Sequence, residues 1–238
     1  MRFEAKDGEA TLWIYDAIGE MFGPDAVTAK GVRDRLQSLR GIDRLTVRIN
    51  SPGGVVDDAV AIHTLLSEYK AEKVTKIDGI AASAATILVP QGKVSIAKGA
   101  KMMIHNPWSV AVGDWREMQK AAKVAKQYAE SAADMYVART GKPREEVLAA
   151  MEAETYFLGE EAVAWGLADD MGEESAVAAQ SVDVVVSKAR AVAKLAFAEL
   201  VGKSAEELEA TFQAMEDAAV RIAAASRKRK RELAGITQ

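Results

Sequence analysis

The chain has no cysteine and only two histidines among its 238 residues. The absence of cysteine excludes disulfide bridges, thiolate catalysis and cysteine-ligated metal sites. Two histidines argue against a histidine-rich metal centre. An excess of basic charge is also missing, because the formal net charge is −4, so charge gives no reason to expect nucleic acid as a partner. We therefore expect neither a metal nor another cofactor.

Long apolar runs are missing as well. The N-terminus is charged and has no signal-peptide core. The longest nearly apolar stretch, residues 79–90, is shorter than the ~20 residues that a membrane-spanning helix needs. No segment matches the phosphate-binding pattern G-x-x-x-x-G-K-S/T, so the chain is not expected to hydrolyse ATP through a P-loop. These absences predict a soluble, cytoplasmic protein without a membrane partner.

Apolar patterns in the first half of the chain predict strands that alternate with helices. Strands are predicted over residues 10–15, 44–49, 74–77, 94–97 and 102–105. Helices are predicted over residues 25–39 and 55–69, and a short helix opens at Ser83. Strand–helix–strand repetition of this kind implies an α/β fold with a largely parallel sheet covered by helices.

The second half of the chain is predicted to be helical. Asp114 and Glu117 form a capping-box pattern at the start of a long helix that Gly141 ends. Beyond it, helices are predicted over residues 143–151 and 160–165, with an extended piece over residues 156–158.

The composition changes near the end of the chain, where Ala, Glu, Lys and Arg dominate. We predict one domain over residues 1–175 and a helical, basic-ended C-terminal extension over residues 176–238. A second capping box, at Ser204 and Glu207, lies in this extension. The basic cluster over residues 227–231 is typical of a solvated helix end, and contact with an acidic partner is the alternative.

Three short segments could build a nucleophilic site. Ser83 lies among small residues where a strand is expected to meet a helix. Upstream, Gly53 and Gly54 lie in a turn that follows a predicted strand. His105 follows a predicted strand downstream. A serine nucleophile, bare backbone N–H groups for an oxyanion and a histidine base are the parts of a serine hydrolase.

Each of these segments also has a purely structural interpretation. Pro-Gly pairs mark ordinary turns, a serine among alanines suits tight packing, and a histidine at a strand end can simply be hydrogen-bonded. His63, beside the apolar stripe of a predicted helix, is interpreted as structural.

The order and spacing of four blocks carry a family resemblance. Residues 48–54, 78–85, 102–108 and 154–167 resemble the proteolytic subunit of the Clp protease, and more closely the Clp-like head maturation proteases of tailed bacteriophages and prophages. The resemblance covers residues 10–172. It implies a crotonase-like, Clp-protease-like fold of repeated ββα units.

The resemblance also implies roles for individual residues. Ser83 would be the nucleophile, His105 the general base, and the backbone N–H groups of Gly54 and Ala84 the oxyanion hole. It further implies a homo-oligomeric ring, often two stacked heptamers, with residues 114–135 as the helix between rings. The alternative is that this helix packs on its own domain.

One position departs from the Clp pattern. The Clp protease has an aspartate as its third triad member, and the matching residue here is Thr155, next to Glu154. A threonine hydroxyl can orient the histidine but carries no charge to stabilise the imidazolium. We predict that Thr155 orients His105 and that the enzyme is slower than one with a full triad. The alternatives are that Glu154 supplies the charge or that Thr155 only packs.

These patterns predict an ATP-independent serine endopeptidase that trims capsid or scaffold proteins during phage head maturation. It would act in the cytoplasm of the bacterial host, in association with the assembling procapsid. Three alternatives remain open: a Clp-type subunit that depends on an ATPase unfoldase, an enoyl-CoA hydratase-like enzyme, and a non-catalytic assembly scaffold.

Overall fold

The computed structural model describes residues 2–89 and 92–172. The strands of this part of the chain are β1 (Arg2–Lys6), β2 (Glu9–Ile14), β3 (Arg44–Ser51), β4 (Glu72–Ala82), β5 (Lys93–Ile96), β6 (Lys101–Ile104), β7 (Thr155–Leu158) and β8 (Asp170–Met171). The helices are α1 (Ala29–Ser38), α2 (Val56–Glu68), α3 (Ala84–Ile87), α4 (Trp115–Thr140), α5 (Arg144–Glu152) and α6 (Gly159–Trp165).

The strands form one mixed sheet. Strands β2, β3, β4, β5 and β8 lie in that order and are parallel, and β1 is antiparallel to β2 at the edge. The last three residues of β4, 80–82, pair in parallel with β6, and β7 is antiparallel to β6. The predicted α/β fold with a largely parallel sheet is confirmed.

The core lies between the sheet and the helices. Strand β3 alternates, so that Leu45, Val47 and Ile49 are fully buried because successive side chains point to opposite faces. They belong to one apolar cluster with Val32 of α1 and Ile62 of α2. Burial of such a side chain contributes about 1.5–3 kcal/mol to the stability of the fold. The packed strands in turn fix the positions of their ends.

Two predicted boundaries were wrong by four residues or more. The helix predicted over residues 25–39 begins only at Ala29, because the Thr28 hydroxyl caps it by accepting a 3.1 Å hydrogen bond from the N–H of Gly31. The strand predicted over residues 74–77 is β4, which extends to Ala82. Its extra length carries the sheet directly to Ser83.

Helix α4 is packed on the domain only through its C-terminal part. Its start is the predicted capping box, in which the Asp114 side chain accepts from the N–H of Glu117 and the Glu117 side chain accepts from the N–H of Asp114. Its buried residues are Ala132, Ala133 and Tyr136. Its first residues, 115–120, are all exposed, including Trp115.

The predicted C-terminal extension over residues 176–238, with its capping box and basic cluster, lies outside the described residues. Among the helices of residues 2–89 and 92–172, none combines the length and the apolar character needed to cross a bilayer.

Candidate active site

Ser83 lies at the junction between β4 and α3 in a strained backbone conformation. Its φ is 54° and its ψ is −127°, a region that residues other than glycine occupy only when their surroundings impose it. The N–H of Ser83 donates to the carbonyl of Met103 (2.9 Å). The carbonyl of Ser83 accepts from the N–H of Thr86 (2.9 Å) and from its hydroxyl (2.5 Å). These bonds hold the turn and present the Ser83 side chain outside the sheet.

The Ser83 hydroxyl meets His105. Their Oγ and Nε2 atoms are 2.7 Å apart. The two residues are 22 positions apart in the sequence, and the sheet brings them together because Ala82 of β4 pairs with Met103 of β6. Parallel neighbours end at the same edge, so the residues that follow the two strands become neighbours.

The environment of His105 suits a general base. Burial lowers the pKa of His105 below its ordinary value, and the charge of Glu154 opposes part of that shift. The imidazole is therefore neutral at pH 7, and Nε2 can accept the Ser83 proton.

The glycine turn after β3 is pressed against the Ser83 turn. A Cβ on Gly53, whose φ is +94°, would lie 2.5 Å from the carbonyl oxygen of Ala82 and 2.8 Å from the nitrogen of Ala84. The turn is anchored by Ser51, whose hydroxyl donates to the carbonyl of Asp16 (2.7 Å) and accepts from the N–H of Gly53 (3.2 Å). Only glycine permits this approach of two backbones.

Two backbone N–H groups adjoin this contact, those of Gly54 and Ala84. The carbonyl of Gly53 and the N–H of Val55 both bond to Ile18, which leaves the intervening N–H of Gly54 directed away from Ile18. Ala84 opens α3, where first-turn N–H groups have no partner within the helix. The predicted oxyanion hole at Gly54 and Ala84 remains a prediction, and the geometry leaves both donors available to a ligand.

Thr155 and Glu154 lie beside the strand that precedes His105. Thr155 pairs with Ile104 across the β6–β7 ladder, and its hydroxyl donates to the carbonyl of Ala150 (2.8 Å). Glu154 is exposed, with a φ of 49°, and its charge acts on His105. That Thr155 orients His105 stays a prediction. Its hydroxyl proton is already used, so it would serve His105 as an acceptor only.

Sequence reasoning missed a partly buried ion pair between β3 and β4. The Arg48 guanidinium binds the Asp78 carboxylate through two hydrogen bonds, of 2.9 and 2.6 Å. The Tyr15 hydroxyl donates to the same carboxylate (2.6 Å). Burial and the neighbouring Asp78 raise the pKa of Tyr15 to about 12. Arg48 and Asp78 both lie in the segments that carry the family resemblance, but nothing in the sequence shows that they pair across β3 and β4.

The second histidine has no part in this arrangement. His63 Nδ1 lies 2.9 Å from the carbonyl oxygen of Val89, consistent with a structural role. Within residues 2–89 and 92–172, no group of three or more His, Asp or Glu side chains is placed to hold a metal ion.

A cavity of about 520 Å³ opens next to His105. Asn106 and Pro107 form one side of it, and its remaining lining comes from α4 and α5, namely Ala125, Lys126, Ala129, Glu130, Arg144 and Leu148.

Comparison with known proteins agrees with this architecture. The family model described as Clp protease matches residues 10–175. Among solved structures, a ClpP1 mutant from Listeria monocytogenes is 23% identical, with a TM-score of 0.60, over 68% of this chain and 91% of that one. This likeness establishes the fold.

Proposed function

The chain belongs to the Clp protease family, a family of serine peptidases, and from that premise we propose that Ser83 is its nucleophile and His105 its general base. One observation carries the proposal: Oγ of Ser83 and Nε2 of His105 are 2.7 Å apart, within the reach that proton transfer requires.

The proposed reaction begins with attack on the peptide carbonyl carbon. Nε2 of the neutral His105 takes the hydroxyl proton as Oγ of Ser83 forms the new bond, and the carbonyl oxygen becomes an oxyanion. The N–H groups of Gly54 and Ala84 would donate hydrogen bonds to this oxyanion and stabilise its charge. One such donor commonly lowers the barrier by about 3–4 kcal/mol.

The intermediate then collapses. The C–N bond breaks, His105 returns its proton to the leaving amine, and an ester joins the acyl group to Ser83. Water, deprotonated by His105, attacks that ester in turn. The acid leaves, and the proton returns to Oγ of Ser83.

The imidazolium formed in both steps needs support, and here the third position matters. Thr155 would orient the ring without charge, while Glu154 supplies a charge that favours the imidazolium. An exposed carboxylate is a weaker stabiliser than a buried one because solvent screens it. We therefore propose a slower enzyme than one with a buried aspartate.

As the biological role, we propose processing of a capsid or scaffold protein during phage head maturation, without an ATPase partner. The resemblance around His105 and the Glu-Thr-Tyr run over residues 154–156 support the phage branch. Action in the host cytoplasm, at the assembling procapsid, belongs to the same proposal.

Members of the Clp protease family usually form homo-oligomeric rings and act on protein substrates. We propose a ring for this chain, with the exposed turns of α4 as one of its contacts. The exposed apolar side chains of Trp115 and Met118 on those turns support it.

A fluorophosphonate probe tests the chemistry. We expect the purified chain to be labelled at Ser83, and the Ser83→Ala variant to be unlabelled, folded and inactive on casein. Labelling that persists in Ser83→Ala would remove this residue from the mechanism.

The need for an ATPase is tested separately. Casein cleavage is measured with and without a purified unfoldase and ATP. Equal rates support independent action. Cleavage that appears only with the unfoldase would instead assign the chain to the ATPase-dependent Clp type.

A further inference from the structure

The conformation of Ser83 depends on its carbonyl group as much as on its side chain. Rotation about ψ, which is −127° at this residue, would swing that carbonyl out of its present direction. Two donors from Thr86, the N–H at 2.9 Å and the hydroxyl at 2.5 Å, hold the oxygen in place. The N–H bond belongs to the ordinary turn of the backbone, whereas the hydroxyl bond is specific to the side chain at position 86.

The Thr86 hydroxyl is itself held by Tyr136. The two hydroxyl oxygens are 2.6 Å apart. Thr86 has a single hydroxyl proton, and the carbonyl of Ser83 receives it, so Tyr136 must be the donor in the second bond. Tyr136 is 3% exposed, and burial raises its pKa, which keeps the phenol protonated.

The result is a directed chain of hydrogen bonds from Tyr136 on α4, through Thr86 on α3, to the carbonyl of Ser83. Each hydroxyl in it is both satisfied and oriented. Buried networks in which every member is satisfied fix one geometry more firmly than packing alone. The chain ends on Ser83, whose backbone is strained and must be held by its surroundings.

We propose that Thr86 and Tyr136 are positioning residues, which hold Ser83 in the conformation that directs its Oγ at His105. The inference rests on the proposed function, because it assigns these residues a task in the reaction of Ser83. Neither residue touches the substrate. Their loss should therefore lower kcat and leave KM unchanged.

The test compares variants that keep and lose each hydroxyl. Thr86→Val removes the hydroxyl at nearly constant volume, and Thr86→Ser retains it. Tyr136→Phe removes the second hydroxyl. Tyr128→Phe is the matched control, since Tyr128 lies on the same helix and donates to Asp57 at the exposed surface (2.9 Å). Peptide hydrolysis, the rate of fluorophosphonate labelling and the unfolding midpoint are measured for each.

We expect Thr86→Val to lower kcat and the labelling rate about tenfold, which corresponds to one lost hydrogen bond. Tyr136→Phe should lower both about threefold, because the Thr86 bond survives without its own support. Thr86→Ser and Tyr128→Phe should both have a kcat and a labelling rate close to those of the wild type.

The double variant separates positioning from stability. Tyr136 acts only through Thr86, so adding Tyr136→Phe to Thr86→Val should lower kcat no further. The same addition should raise the unfolding midpoint, because it removes the buried phenol that Thr86→Val leaves without a partner.

Wild-type kcat and labelling in Thr86→Val would overturn the inference, as would equal losses in Thr86→Ser and Thr86→Val or an effect confined to KM. If wild-type protein itself is not labelled at Ser83, the proposed function fails and the inference fails with it. Labelling of wild type with no response in the variants overturns the inference alone.

Discussion

Two regions of the molecule contrast in how their residues are held. The strained backbone of Ser83, the glycine turn after β3 and the ion pair between β3 and β4 are fixed by bonds within one chain. The loop after His105 and the first turns of α4 instead present apolar side chains to solvent: Trp108 is 62% exposed and Trp115 is 66% exposed. The arrangement of Ser83 and His105 is thus held by contacts within one subunit. The loop after His105 and the first turns of α4 carry exposed apolar surface that suits contact between subunits.

The largest expected effect on stability comes from a substitution at Gly54, in the glycine turn next to Ser83. A Cβ there would lie 2.0 Å from the carbonyl oxygen of Ile18, so Gly54→Ala should destabilise the fold by about 4 kcal/mol or more and abolish activity. Gly41→Ala is the control, because Gly41 also has positive φ (+61°) but nothing within 4 Å. It should cost about 1–2 kcal/mol. Equal losses in the free energy of unfolding for Gly54→Ala and Gly41→Ala, measured by urea denaturation, would contradict this account.

A smaller loss is expected from the ion pair. Arg48→Met leaves the Asp78 carboxylate, whose side chain is 3% exposed, without its cation. Breaking a buried pair in this way should cost about 3 kcal/mol. Arg44→Met on the same strand breaks the exposed pair with Glu72 and should cost less than about 1 kcal/mol. Denaturant midpoints measure both, and a cost for Arg44→Met as large as for Arg48→Met would refute the distinction.

At the border of the two regions, Glu154→Gln should have a kinetic effect. The Glu154 charge raises the pKa of His105 against the effect of burial. Its removal should lower that pKa further, so the acid limb of the kcat/KM profile moves to lower pH. The rate on the plateau should fall about two- to fivefold, because the imidazolium of the transition state loses support.

Thr155→Val and Glu152→Gln complete that measurement. If Thr155 orients His105, Thr155→Val lowers the plateau rate without moving the acid limb. Glu152→Gln removes an equal charge from the exposed end of α5 and should change neither. An acid limb that stays in place in Glu154→Gln would show that its charge does not reach the base.

The smallest effect on the subunit itself is expected from Trp115→Ser. This side chain is exposed, so the free energy of unfolding of the monomer should change by less than about 0.5 kcal/mol. The mass measured by light scattering should nevertheless fall, because apolar contact surface is lost. Lys120→Ser, at another exposed position of α4, is the control and should leave the mass unchanged. An unchanged mass in Trp115→Ser would remove this surface from the assembly.

The sequence was informative wherever a local pattern had a single structural solution. Residues 44–49 of strand β3 alternate between buried and more exposed positions, and helix α4 begins with a capping box, so both were predicted close to their observed bounds. Strand β1 was missed because four of its five residues are exposed, and an edge strand of this kind has no apolar period.

The candidate site was predictable in its residues and not in its support. Ser83 and His105 stand out by residue type and order, and the sheet then joins them. The bonds of Thr86 with Tyr136 and of Arg48 with Asp78 connect positions 50 and 30 residues apart. Such pairs depend on the three-dimensional register of elements, which no local pattern encodes.

The bond from the N–H of Ser83 to the carbonyl of Met103 connects the ends of β4 and β6, the two strands that lead to Ser83 and His105. Deuterium can replace this amide proton only when β4 and β6 separate, which is an opening of the sheet interior. The backbones of Ser83 and His105 therefore keep their relative positions as long as this part of the sheet stays closed, and heating should separate them only when the sheet opens.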